Sequence, residues 1–269
     1  MSYVRPLSLV ILLNCFLVNA AAAQVPQPVF ALAPAGPEFL PRYDFHMSVY
    51  HLTGDEDPAE RFSWDTHFGG SFDILDYVVG RASVSVDYEA LLGSEFRPFD
   101  PNQAYYTMEP SLSVRLGDTE VAAVFHHVSR HLSDRPKSFA IAWNVWGGRL
   151  LRRATVGTAT IDLALDVGRV VQHSFVDYTW LADGDVLVRR PVSPRLGIFA
   201  HGSAQVYRVD GTIPNRGTQF GTLVEAGLRV PGRGGALEVF GGFERRVDAY
   251  PLDRVPRNWI LAGFRLLSR

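Results

Sequence analysis

Residues 120–144 read EVAAVFHHVSRHLSDRPKSFAIAWN. In an extended strand successive side chains point to opposite sides, which puts Val121, Ala123, Phe125, His127, Ser129 and His131 on one face. Leu132 to Lys137, with Ser133, Asp134 and Pro136, reads as a turn, and Ser138 to Trp146 as the returning strand. The stretch is a β-hairpin with a hydroxyl two residues from an imidazole. Strand positions i and i+2 have α-carbons ~6.6 Å apart, a gap an imidazole can lean across. Ser129 is a candidate nucleophile and His127 its candidate general base, because a hydroxyl attacks poorly until a base takes its proton. A third group must fix the imidazole tautomer, and Asp134 in the turn and Asn144 on the returning strand are both candidates.

Outward from this hairpin the period stays at two. RASVSVDYEALL sets Val84, Val86, Tyr88, Ala90 and Leu92 against Ser83, Ser85, Asp87 and Glu89. TATIDLALDVG sets Ile161, Leu163, Leu165 and Val167 against Thr160, Asp162, Ala164 and Asp166. No amphipathic helix of ten or more residues interrupts the pattern, so the chain is all-β. Twelve strands are expected between residues 42 and 267, including 119–131, 137–147 and 157–172.

The connections alternate in length. TGDEDPAER, GSEFRPFDPN, LSDRPK, DGTIPNRG and DAYPLDRVPR are long and polar, whereas Val79-Gly80, Gly117-Asp118, PVSP and PGRGG are short. Long outer loops, short periplasmic turns and an even strand number describe a single antiparallel up-and-down transmembrane β-barrel. Ring-bearing residues near strand ends, among them Tyr50, Trp64, Tyr106, Trp143, Trp146, Tyr178, Trp180 and Trp259, are expected to form interfacial girdles. Arg115, Asp162, Asp166, Arg195 and Arg229 are expected in the lumen. His46, His51, His67, His173 and His201 show no convergent spacing and are expected to be lumenal or structural.

Residues 1–23 have the layout of a secretory signal peptide: Arg5, an apolar run from Leu7 to Val18, and small residues from Ala20 to Ala23. Cleavage there leaves 246 of the 269 residues and removes Cys15, the sole cysteine. Residues 24–41, with five prolines, form an extended periplasmic lead-in, and 42–269 the barrel. Formal net charge is −2, so nothing global favours nucleic acid. Of 26 basic residues only Lys137 is a lysine, and arginine suits the phosphates of lipopolysaccharide.

His127-Val128-Ser129, Ser133-Asp134 and Trp143-Asn144 resemble, in that order, the outer-membrane phospholipase A family, a twelve-stranded barrel with His-x-Ser, Ser-Asp and Trp-Asn. The resemblance implies a lipid-facing site near the outer leaflet, with His127 as base, Ser129 as nucleophile and Asn144 as orienter. The family's Asn-Gly-Arg after the serine, whose arginine helps hold calcium, is here Arg130-His131-Leu132, so no cofactor is indicated. FHHVSRHLSDR also resembles the His-x-Ser-Ser-His-Leu-Gly-Asp signature of an uncharacterised bacterial envelope family. No metal site is expected, since His127 and His131 lie ~13 Å apart along a strand, too far to share a zinc ion.

Apolar phasing puts Phe139, Ile141, Trp143 and Val145 outward and turns Asn144 inward. Pairing Asn144 with His127 requires instead a turn centred between Arg135 and Pro136. The resulting expectation is an outer-membrane barrel, monomeric or homodimeric, of passive, structural or porin-like role. The alternatives are a lipid ester hydrolase of phospholipase A or lipid A deacylase type, and a soluble periplasmic barrel that binds an apolar ligand. Its partners are outer-membrane lipids and lipopolysaccharide.

Overall fold

A computed structural model describes residues 29–132 and 140–268. The signal-peptide reading and Asp134 lie outside the described residues. Twelve strands are described: β1 (Glu38–Thr53), β2 (Trp64–Asp76), β3 (Arg81–Gly93), β4 (Asp100–Leu116), β5 (Thr119–Leu132), β6 (Ile141–Val156), β7 (Ala159–Ser174), β8 (Tyr178–Ser193), β9 (Leu196–Val209), β10 (Gln219–Pro231), β11 (Gly235–Arg246) and β12 (Arg257–Ser268). Each pairs antiparallel with its chain neighbour, and β1 pairs with β12 from His46↔Leu267 to Thr53↔Ile260, closing the barrel. Closure satisfies every edge, the condition for sheet to exist in lipid.

The period-two pattern becomes an outside and an inside. Leu112 and Val114 on β4, Leu165 and Val167 on β7, and Val224 and Leu228 on β10 are exposed on the outer wall. Asp73, Arg81, Asp87, Glu120, Arg149, Asp162, Glu225, Glu238 and Arg265 are buried inside. An apolar exterior over a charged interior is the reverse of a soluble barrel and fits a bilayer.

Among the described residues, chain segments and ion pairs plug the lumen at both ends. At the short-turn end Arg81 bonds the carbonyl of Val29 (2.8 Å) and Arg115 that of Ala31 (2.9 Å). Phe30 packs between Leu151 and Ala164. Part of the lead-in therefore lies inside the barrel. Ion pairs follow: Arg81 with Asp73 and Glu120, Arg149 with Glu109 and Asp166, and Arg265 with Glu225 and Glu238. At the long-loop end the segment after β11 folds into the mouth, where Arg130 bonds the carbonyls of Asp248 (2.5 Å) and Ala249 (2.8 Å). Arg216 ties this segment to the loop before β8 through Asp248 (2.6 Å) and Asp177 (2.8 Å). Between these plugs a cavity of about 170 Å3 remains, lined by Tyr105, Glu109, Trp143, Arg149, Asp183 and Tyr207 among others. In planar bilayers the protein should pass no stable porin-sized current; a steady open conductance at low voltage would contradict this plugging.

The outer loops carry their own anchors. Burial alone would raise the Asp57 pKa, but hydrogen bonds from the Arg61 side chain and amide outweigh it and hold that carboxyl below its ordinary value.

Four expectations need correction. β1 begins at Glu38, not 42, and β6 runs to Val156 instead of ending at 147. Arg195 is exposed in the turn between β8 and β9 and does not enter the lumen. Tyr50, Trp143, Tyr178 and Trp259 are buried inside, not in an outer girdle. The upper lumen holds two apolar clusters, so aromatic side chains near the outer strand ends serve either face. His173 is exposed near the outer end of β7, whereas His46, His67 and His201 are buried against lumenal carboxylates.

Candidate functional site

Strand β5 places its even positions inside, with Glu120, Ala122, Val124, Val128 and Arg130 buried, and leaves Val121 exposed outside. His127, Ser129 and His131 therefore share the lipid-facing wall near the outer end of β5. Register pairs His127 with Asn144 and Ser129 with Ala142.

The phasing expectation for β6 was inverted. Ile141, Trp143 and Val145 are buried in the upper lumenal cluster with Val128, Val170, Val176 and Tyr178, which turns Asn144 out. Apolar residues at this height fill the inside of the barrel, so hydrophobicity does not identify the lipid face there.

On the outer wall His127 Nδ1 and Asn144 Oδ1 are 2.6 Å apart, and Asn144 Nδ2 donates to Gln172 Oε1 at 3.0 Å. The first bond makes Nδ1 the protonated nitrogen and leaves the Nε2 lone pair of His127 free to accept a proton. Gln172 reaches this face because the β6–β7 register shifts between Asn144↔Gln172 and Val145↔Val170, a bulge at Val171. A bulge re-aims the side chains beyond it. No sequence signal marked Gln172.

The hydroxyl of Ser129 bonds Nε2 of His131 at 3.1 Å, and the His131 ring stands edge-on to Tyr106 with centroids 5.2 Å apart. Among the described residues no hydrogen bond joins Ser129 to His127. The serine thus lies between two imidazoles on one strand face, bonded at rest to the outer one. His127 and Asn144 come together, against the apolar phasing of β6, and Asp134 lies outside the described residues.

The described residues around Ser129 do not fit the calcium of the resembling family. Arg130, which follows the serine, points inward and is held over the Tyr105 ring at 4.4 Å. The described outer-wall neighbours of Ser129, namely Tyr106, Met108, Ala142 and Asn144, include no carboxylate.

No protein-family model and no curated protein matches the chain. Solved structures do. The outer-membrane phospholipase A of Escherichia coli aligns with TM-score 0.51 at 13% identity, over 84% of this chain and 92% of that one. A Salmonella typhi outer-membrane phospholipase, solved as a dimer with bound calcium, gives 0.51 and 13%, over 92% and 94%. An outer-membrane channel of Pseudomonas putida F1 gives 0.54 and 11%, over 92% and 99%. At such identities the likeness is one of fold, shared by enzyme and channel alike. Closed topology, apolar outer wall and these neighbours make the chain a twelve-stranded β-barrel protein of the bacterial outer membrane.

Proposed function

We propose that the protein is an acyl-ester hydrolase acting on outer-membrane lipids from the outside wall of the barrel, with Ser129 as nucleophile. The observation that carries this reading is the bond between His127 and Asn144 on the lipid-facing surface. Polar side chains there are costly, and a passive barrel gains nothing from aligning an imidazole with an amide beside a hydroxyl in an apolar belt. The alignment also falls on the residues through which the sequence resembles the phospholipase A family, and two similar structures are phospholipases of this fold. The plugged lumen weighs against the porin-like role.

In this mechanism Ser129 turns about its Cα–Cβ bond from His131 to His127. As Oγ attacks the ester carbonyl, Nε2 of His127 takes the hydroxyl proton. Collapse of the tetrahedral adduct breaks the ester C–O bond, and the imidazolium returns that proton to the departing alcohol. Water then attacks the acyl-serine with the same base assistance and releases the fatty acid. Asn144, itself held by Gln172, keeps the imidazole in the required tautomer.

A purely structural role for the cluster is the competing reading, and the bond between Ser129 and His131 favours it. In nanodiscs containing phospholipid and lipid A, the parent protein should release free fatty acid at a rate proportional to enzyme. Absence of any release from heat-modifiable, folded barrel would remove this reading.

A further inference from the structure

One row of register partners crosses the outer wall: Phe125, Trp146, Arg169, Trp180 and Arg208, each paired with the next from β5 to β9. Phe125 lies seven residues from the outer end of β5, Arg169 five from that of β7, Trp180 two from that of β8 and Arg208 one from that of β9. The row therefore climbs to the outer rim. There the β7–β8 pairing stops at Arg169↔Trp180, while β7 continues to Ser174 along β6 alone. The strands part, leaving a notch of about 430 Å3 that runs from Arg169, Trp180 and Arg208 on the outer wall to Val170, Tyr178 and Val209 on the inner one, with Asp210 at its edge.

Among the described residues neither Arg169 nor Arg208 has a carboxylate partner. Asp210, the acid in the notch, turns to its own loop and accepts from the Thr212 amide (2.8 Å) and hydroxyl (2.7 Å). Two exposed, unpaired guanidiniums flanking an indole, Arg208 at the rim and Arg169 below it, can pair with anions, and the anions available at that height are lipid phosphates. Arginine's planar fork suits them bidentately, and the indole sits at headgroup level.

Spacing selects the lipid. Arg169 stands two strands from Ser129, ~10 Å across, and its partner Trp146 is four residues along β6 from Ala142, the partner of Ser129, or ~14 Å. The α-carbons are thus ~17 Å apart, and Arg208 stands two strands further. A glycerophospholipid keeps its phosphate beside its esters. A multi-acylated phosphoglycolipid spreads phosphates and esters over a disaccharide. We propose that the β7–β8 notch holds a phosphate of lipid A through Arg169 and Arg208, which, on the hydrolase reading above, presents an acyl ester to Ser129.

The test uses the full barrel carrying Ser129→Ala, so that binding is read without turnover. Native mass spectrometry would titrate it with bisphosphorylated lipid A, its dephosphorylated form and a zwitterionic phospholipid. Bisphosphorylated lipid A should bind roughly 10-fold more tightly than the other two. The advantage should vanish in Arg169→Gln/Arg208→Gln and persist in Arg152→Gln, which removes an exposed charge at the opposite rim. Equal binding by parent and double variant, both verified as folded, would overturn the site. Displacement by matched inorganic phosphate would overturn it too, by assigning the notch to free anion. If the arginine dependence holds while the serine-intact protein releases no fatty acid, the hydrolase reading alone fails.

Discussion

Ser129→Ala should lower lipid ester hydrolysis by at least ~10³-fold while leaving the barrel folded, since one hydroxyl on the outer wall contributes little packing. His127→Ala should cost about as much, and the double variant scarcely more, because residues acting as one unit are not additive. Asn144→Ala should cost less, roughly 10–100-fold: it loosens the tautomer and ring orientation without removing the base. His131→Ala frees the Ser129 hydroxyl from its resting bond, so it should retain most of the activity. Initial rates in nanodiscs, with heat-modifiability verifying the fold, measure all five. An outcome with His131→Ala dead and His127→Ala active would reverse the assignment of the base.

The second large effect is on stability. Arg246, buried under the mouth, bonds Asp65 (2.5 Å), Glu89 (2.6 Å) and Glu244 (2.6 Å), with its guanidinium 5.5 Å from the Trp259 ring. Removing one partner of a buried ion pair costs about 3–5 kcal/mol, because the survivor is left charged and unsolvated. Arg246→Leu takes the guanidinium from Glu89 and leaves Asp65 with His67 (3.4 Å), so its cost should fall in that range. Adding Asp65→Asn and Glu89→Gln should recover much of the loss, since neutral groups are cheaper to bury unpaired. Denaturant midpoints in detergent provide the comparison. A single variant within about 1 kcal/mol of the parent would show that the lumen is wet enough to screen these charges.

The barrel was legible because strand alternation, loop lengths and chain parity all express one constraint, that backbone in lipid must close on itself. Where the reading slipped, one residue type served two purposes. The strand expected to end at 147 continues to Val156. A Cβ on Gly147 would stand 2.4 Å from the carbonyl oxygen of Val167, so this glycine permits close approach of β7. Asn144 was assigned inward because Trp143 and Val145 are apolar; they face an apolar upper lumen. Gln172 depends on a bulge, and Arg246 with Asp65 spans 181 residues, so neither partnership has a local signature. The proposed nucleophile and base stood out because their spacing is local to one strand.

The central claim is that Ser129 is a nucleophile activated from the lipid side, and a serine-directed covalent probe tests it most directly. A long-chain alkyl fluorophosphonate, added to the folded barrel in detergent, should label a single peptide at Ser129, as mapped by mass spectrometry. His127→Ala should suppress that labelling at equal folding. No adduct on Ser129, or labelling indifferent to His127, would contradict the account and leave a structural barrel with a polar patch on its outer wall.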